Sequence, residues 1–343
     1  MNIGILTGGG DCPGLNAVIR AVVRRAEVSG HRVIGFSDAW KGFLAGDHEE
    51  LTVTSVRGLL PKGGTILGTT RGSPFDHADG VERTVKKFRE FNLDALIVVG
   101  GNGSLTVGSM LHKQAGLPIV GVPKTIDNDI VGTDVSFGFH TAVQVATDAI
   151  DRLHTTAESH DRVMVVEVMG RDAGWIALTA GVAGGATVIL VPERPFDIER
   201  VCELVTRRHA RGRYASIIVV AEGARPVDGQ PPTVVYTNDQ FGRPRLGGIS
   251  TAIAPLIEER TGYDVRVVQI GHIQRGGTPT AFDRVLATRF GIAAVDAIDD
   301  GDFGKMVVLR GSAVERENLS ATEGNTRHID LSLYDTVEDT FFG

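Results

Sequence analysis

The sequence predicts an α/β fold of two domains, each built on a central, largely parallel sheet flanked by helices. Three observations predict it. Short apolar runs bounded by glycine recur at 3–6, 32–36, 95–99, 118–122, 163–168, 187–191 and 216–220. Between them lie amphipathic stretches with apolar residues at helical spacing, as at 16–27 and 141–153. The chain is also long enough, at 343 residues, to build two medium cores. Near-continuous apolar strands imply parallel sheets, because the crossover helices cover both faces and leave no side of the strand in water.

Taken in order, the run at 3–6 ends in Gly8-Gly9-Gly10, a turn that opens a helix near Pro13, and the run at 32–36 repeats the strand type. The run at 95–99 leads into Gly100-Gly101-Asn102-Gly103-Ser104, and that at 118–122 into Pro123-Lys124-Thr125-Ile126-Asp127-Asn128-Asp129. Met169-Gly170-Arg171 follows the run at 163–168, and Glu222 follows that at 216–220. Residues 224–246, rich in Pro, Gly, Asn and Asp with a β-branched run at 233–236, read as a surface hairpin without chemistry. Open parallel sheets bind ligands outside the carboxyl ends of their strands. Function is therefore expected at the glycine turns after the strands at 3, 96 and 163.

Hydrophobic residues at 42% and charged ones at 22% leave no sign of disorder. The net charge of −7 argues against a nucleic-acid surface, which needs a basic face, so any anion site must be local. Two distant cysteines, Cys12 and Cys202, support neither a disulfide framework nor a zinc site. With no signal segment and no stretch of membrane-spanning length, a soluble cytoplasmic protein is expected.

The chemistry resides in the turns. Glycines let backbone amides approach phosphates at a helix end, whereas a bare tight turn would need them equally. The spacing from Gly10 to Gly14 is not that of a dinucleotide fingerprint, and no Gly-x-x-x-x-Gly-Lys-Ser/Thr occurs. Asp127 and Asp129 stand at i and i+2, where one carboxylate can act as a base and the other meet a metal; such a pair also caps helices. With Gly271-His272-Ile273-Gln274-Arg275-Gly276-Gly277, these motifs, in order and over nearly the whole length, resemble a 6-phosphofructokinase of the bacterial type, of the group with Gly-Asn-Gly and Pro-Lys-Thr-Ile-Asp-Asn-Asp motifs.

The resemblance implies the phosphofructokinase fold, with a donor domain at 1–138 plus 274–302 and a sugar-phosphate domain at 139–273 plus 303–343. It implies transfer of a phosphoryl group to the 1-hydroxyl of fructose 6-phosphate, with Asp127, Thr125 and Arg171 catalytic. Donor contacts carry over to Gly10, Arg71, Gly101, Asn102, Gly103, Ser104 and Lys124; sugar-phosphate contacts carry over to Arg162, Met169, Gly170, Glu222, Arg266, His272 and Arg275. Magnesium falls to Asn102 and Asp129, although the family has a carboxylate where Asn102 stands. Read alone, Arg71 would be a solvated charge, Met169 core and His272 a satisfied core histidine.

Donor identity turns on two positions that oppose one another. In this family an acidic residue at the place of Gly103 goes with pyrophosphate and glycine leaves room for a nucleotide, whereas lysine at the place of Lys124 goes with pyrophosphate. A steric block outweighs a flexible lysine, so ATP is expected, with pyrophosphate as the alternative and Trp40 aligned near the family's adenine pocket. A catalytically silent, sugar-phosphate-binding regulatory subunit is the alternative of another class. Arg162 and Arg266 reach across from a neighbouring subunit in the family, which implies a homo-oligomer, a tetramer by resemblance. Arg20 and Arg24 match two arginines of the family's effector site, but His154 stands where a third is expected, and regulation stays open.

Overall fold

The computed structural model describes residues 1–213, 215–227 and 247–343. The chain folds into two compact units, Met1–Ile126 with Ile130–Thr141 and Arg275–Thr326, and Asp127–Asp129 with Ala142–Gln274 and Arg327–Gly343. Among the described residues no helix is long and apolar enough to cross a membrane.

The first unit carries β1 (Asn2–Gly8), α1 (Leu15–Val28), β2 (Arg32–Phe36), α2 (Ala39–Ala45), β3 (His48–Leu51), α3 (Gly80–Glu90), β4 (Ala95–Gly100), α4 (Asn102–Ala115), β5 (Ile119–Thr125) and β6 (Phe137–Gly138). Helix α5 (Phe139–His160) leads into the second unit, with β7 (Val163–Val168), α6 (Trp175–Ala183), β8 (Val188–Leu190), α7 (Ile198–Ala210), β9 (Ser216–Ala221), α8 (Ile249–Thr261) and β10 (Val265–Gln269). The chain then supplies α9 (Ala281–Asp299), β11 (Lys305–Arg310) and β12 (Ala313–Asn318) to the first unit and α10 (Leu331–Phe341) to the second.

The first sheet runs β12-β11-β5-β4-β1-β2-β3, with β6 added beside β5. Its centre is parallel and its edges, β2 with β3 and β11 with β12, are antiparallel. On one face Leu6, Phe36, Leu96 and Val98 form a core with Trp40, Phe43, Phe88, Leu105 and Leu111 from α2, α3 and α4. Helices α1 and α9 pack together closely enough that a side chain at Gly291 would meet Ala21 at 2.7 Å. The second sheet, β10-β7-β9-β8, is parallel throughout. All six residues of β7 and of β9 are buried, as strands covered on both faces require.

Every strand and helix expected above within the described residues is present, while β3, β6, β10, β11 and β12 were not anticipated. The last two move a boundary. Residues 303–326, expected in the second domain, belong to the first unit, because β11 adds parallel to β5 through Lys305 and Val120 and β12 folds back on it. Residues 127–129 belong to the second. Helix α1 begins at Leu15, close to the expected Pro13, after Gly14, which holds a φ of 117° with the Phe137 ring where its side chain would lie. The hairpin expected at 233–236 lies outside the described residues.

Candidate active site

In the first unit the turn after β1 is built around main-chain atoms. Gly9 donates to the Thr70 carbonyl at 3.2 Å, and the Thr69 hydroxyl donates to the Gly9 carbonyl at 2.6 Å, which holds the segment leading to Arg71 against the turn. Asn16, 3% exposed, secures the segment before it, donating to the carbonyls of Lys62 and Gly63 and accepting from Ile66 N–H at 2.9 Å. Two cations meet at the same turn. Lys124, buried at 3% exposure, donates to the Gly10 carbonyl, and Arg275 donates to the Asp11 carbonyl at 3.1 Å. The Arg275 guanidinium lies so close over Gly10 that a side chain there would meet Nη1 at 2.6 Å. Arg275, expected at the sugar phosphate, thus stands beside Gly10, expected at the donor phosphates. Burial pushes the Cys12 thiol up to about 12, against the pull of Lys124 and Arg275.

The second glycine turn seats α4 over the ends of two strands. Gly8 and Gly100 are paired in register, and a side chain on either would run into Ser104. Ser104 therefore fills a notch that only glycines leave open. At Gly103 nothing lies within 4 Å of an added side chain. Arg71 is exposed and, with Trp40, Lys41, His77 and Arg83, lines a cavity of about 370 Å³. The indole N–H of Trp40, a residue only 2% exposed, has no hydrogen-bond partner among the described residues.

Helix ends distinguish the two units. Helices α1 and α4 start from Gly14 and Gly101, which have no side chain to cap with, and neither first turn carries an acidic residue. In the second unit the corresponding ends meet buried carboxylates. Glu193 accepts from Gly174 N–H at the start of α6, and Glu167 accepts from Gly248 and Ser250 N–H at the start of α8. A positive helix end already facing a carboxylate is a poor phosphate site, so anion capacity lies with α1 and α4.

Two turns of the second unit are pinned together. Glu222 N–H donates to the Val168 carbonyl at 2.9 Å and Gly223 N–H to the Gly170 carbonyl at 3.1 Å, which brings the Glu222 backbone beside Met169, Gly170 and Arg171. Gly170 needs its φ of 135°, and a side chain there would meet the Ala173 carbonyl at 2.8 Å. Met169 N–H donates to the buried Gln274 side chain at 2.8 Å. His272 is exposed in the turn after β10.

Arg162 and Arg266 lie elsewhere. Asp264 pairs with both, at 2.5 Å to Arg162 Nε, and so holds two guanidinium groups at the amino ends of β7 and β10. Met169, Arg171 and His272 follow the carboxyl ends, roughly 20 Å away along the six-residue β7. One chain does not bring these two groups together.

Thr125 ends β5, its carbonyl accepting from the Ser136 hydroxyl at 2.9 Å. The Asp127–Asp129 turn is held in the second unit by a residue that no sequence motif marks. Arg327 donates from its main-chain N–H to the Asp129 carbonyl at 2.8 Å and from Nη1 to the Asn128 carbonyl at 3.1 Å. Among the described residues no three His, Cys, Asp or Glu side chains gather as a metal cage.

Comparison with known proteins bears directly on this arrangement. The family model described as Phosphofructokinase matches residues 2–298. The chain is 54% identical to pyrophosphate–fructose 6-phosphate 1-phosphotransferase of Streptomyces coelicolor over the whole of both chains. It is 55% identical to ATP-dependent 6-phosphofructokinase 3 of the same organism, over 98% of this chain and 99% of that one. Among solved structures, Pichia pastoris phosphofructokinase in the T-state superposes with a TM-score of 0.85 at 33% identity, over 99% of this chain and 36% of the longer Pichia chain.

Proposed function

The chain belongs to the phosphofructokinase family, and from that premise we propose that it phosphorylates fructose 6-phosphate at the 1-hydroxyl, with ATP as donor and magnesium as metal. The observation that carries the donor side is the Gly9–Gly10–Asp11 turn, where Lys124 and Arg275 converge beside the uncapped end of α1. A phosphoryl group in flight carries dispersed negative charge, and fixed cations with preorganised amides stabilise it without reorganising at the moment of transfer. Arg71 and Arg171 are the further cations we assign to it, with Gly101 and Ser104 as donor contacts and Thr125 as a contact of the sugar and the transferring group.

Asp127 takes the proton of the 1-hydroxyl as that oxygen attacks the terminal phosphorus in line, and ADP leaves. A bound magnesium ion offsets charge on the donor's phosphates. Asn102 and Asp129 are the side chains assigned to it; amide and carboxylate oxygens are both hard donors of the kind it takes, with phosphate oxygens supplying the rest. Met169, Gly170, Glu222 and His272 are assigned to the sugar phosphate. Arg162 and Arg266, remote from those residues in their own sheet, are assigned to the site of a neighbouring copy, which supports a homo-oligomer, a tetramer in this reading. Buried free thiols at Cys12 and Cys202 agree with a cytoplasmic setting.

Space favours ATP: Gly103 is open, and the cavity at Trp40 and Arg71 offers room and polar groups beyond what a diphosphate needs. Lys124 at the glycine turn favours pyrophosphate, the second reading. A coupled assay with fructose 6-phosphate and magnesium, run in parallel with each donor, separates them. We expect turnover with ATP at least tenfold above that with pyrophosphate. Faster turnover with pyrophosphate would reverse the donor, and none with either would leave a silent sugar-phosphate-binding subunit.

A further inference from the structure

We propose that Arg327 is a positioning residue for phosphoryl transfer, holding the Asp127–Asp129 turn so that Asp127 keeps its working geometry; this rests on the reading of Asp127 as base. Asn128, between the two aspartates, has a φ of 54°, a left-handed conformation that asparagine tolerates better than other non-glycine residues yet still adopts seldom, so the turn is held there by its surroundings. It is also 3% exposed, so water does not satisfy its backbone. Arg327 meets both needs. Its Nη1 donates to the Asn128 carbonyl at 3.1 Å and its main-chain N–H to the Asp129 carbonyl at 2.8 Å, so one residue ties two successive peptides of the turn.

Arg327 is itself immobilised from both sides. Its guanidinium lies over the Trp175 ring, 4.1 Å from the centroid, and Trp175 Nε1 donates to the Arg327 carbonyl at 3.0 Å. Two residues further on, Ile329 N–H donates to Glu193 at 3.1 Å, the same carboxylate that accepts Gly174 N–H at the start of α6. Trp175 opens α6, four residues beyond Arg171. The segment around Arg327 therefore references the aspartate turn to the helix that follows Arg171. Both bonds from Arg327 to the turn go to its main-chain carbonyls, so they act on the chemistry by fixing the turn.

The test uses the full-length protein and a double-mutant cycle. Arg327→Ala should lower kcat roughly 10- to 100-fold with the KM for fructose 6-phosphate changed less than about threefold, as expected when a reacting group is misplaced and substrate binding is left intact. In an Asp127→Ser background the same change should cost less than about twofold, because a residue that acts through Asp127 has nothing left to position. Should Arg327→Ala fail to fold, Trp175→Phe keeps an aromatic face under the guanidinium but removes the indole's pyrrole ring and with it the N–H to the Arg327 carbonyl; a kcat loss of roughly three- to tenfold, again absent in the Asp127→Ser background, is expected. An unchanged kcat, a loss confined to KM, or equal losses in both backgrounds would overturn the proposal while leaving the enzyme reading intact. A wild-type protein that phosphorylates no fructose 6-phosphate would overturn both.

Discussion

Asn102, proposed above to face magnesium, occupies the first position of α4; if it does so, a carboxylate there would bring a full negative charge where the amide brings only a dipole. Asn102→Asp should therefore lower the magnesium concentration at half-maximal rate severalfold; an unchanged requirement in a magnesium titration would mean that this side chain does not reach the metal. Cys12 tests the dryness of the neighbouring turn. Burial pushes its thiol up to about 12 and that of Cys202 up to about 11, so at pH 8.5 each is overwhelmingly protonated in the folded protein. Thiolate is the reactive form. Native protein at pH 8.5 should remain unlabelled by iodoacetamide while urea-unfolded protein takes up label at both of its cysteines. Rapid native labelling of Cys12 would show the turn to be open to solvent.

At the scale of elements, the notch between β1, β4 and α4 makes two glycines three residues apart behave oppositely. Gly100→Ala would drive a methyl into Ser104 Cβ and should cost about 1–3 kcal/mol, seen as a lower thermal midpoint. Gly103→Ala enters open space within the first turn of a helix and should stabilise by about 0.5 kcal/mol, raising the midpoint. The same openness admits a carboxylate. Gly103→Asp should fold normally yet cut the rate with ATP far more than with pyrophosphate, a preference built by repulsion of the nucleotide's additional phosphate. Equal losses with both donors would place Gly103 in the backbone turn alone.

For the molecule as a whole, Arg162 and Arg266 lie at the amino ends of β7 and β10 while Arg171 and His272 follow the carboxyl ends, so the proposed sharing of one sugar-phosphate site among them requires a neighbouring copy. Arg162→Ala and Asp127→Ser subunits, each inactive alone, should recover activity when unfolded together and reassembled. Some mixed sites would then draw an intact Asp127 from one chain and an intact Arg162 from its neighbour. Mixed oligomers verified by mass but devoid of activity would remove the shared site.

Elements whose chemistry is local could be read directly from the sequence. The strands from β1 to β9 that carry near-continuous apolar runs were legible because burial on both faces leaves no polar alternation, and the glycine turns because positive φ at Gly9 and Gly170 admits little else. By contrast β12, with the sequence AVEREN, and β10, partly exposed, carry too little apolar signal to be read as strands, and with β12 and its pairing to β11 unread, the place of 303–326 in the first unit was not legible. The sequence by itself determined the fold class and the residue types able to do phosphoryl transfer. Only the tertiary structure decided that Arg275 stands over Gly10, that Asp264 gathers Arg162 with Arg266, and that Arg327 holds Asn128 from 199 positions away. The physical reason is that such contacts have no local periodicity: which partner satisfies a buried carbonyl or carboxylate is settled when distant segments pack, and not before.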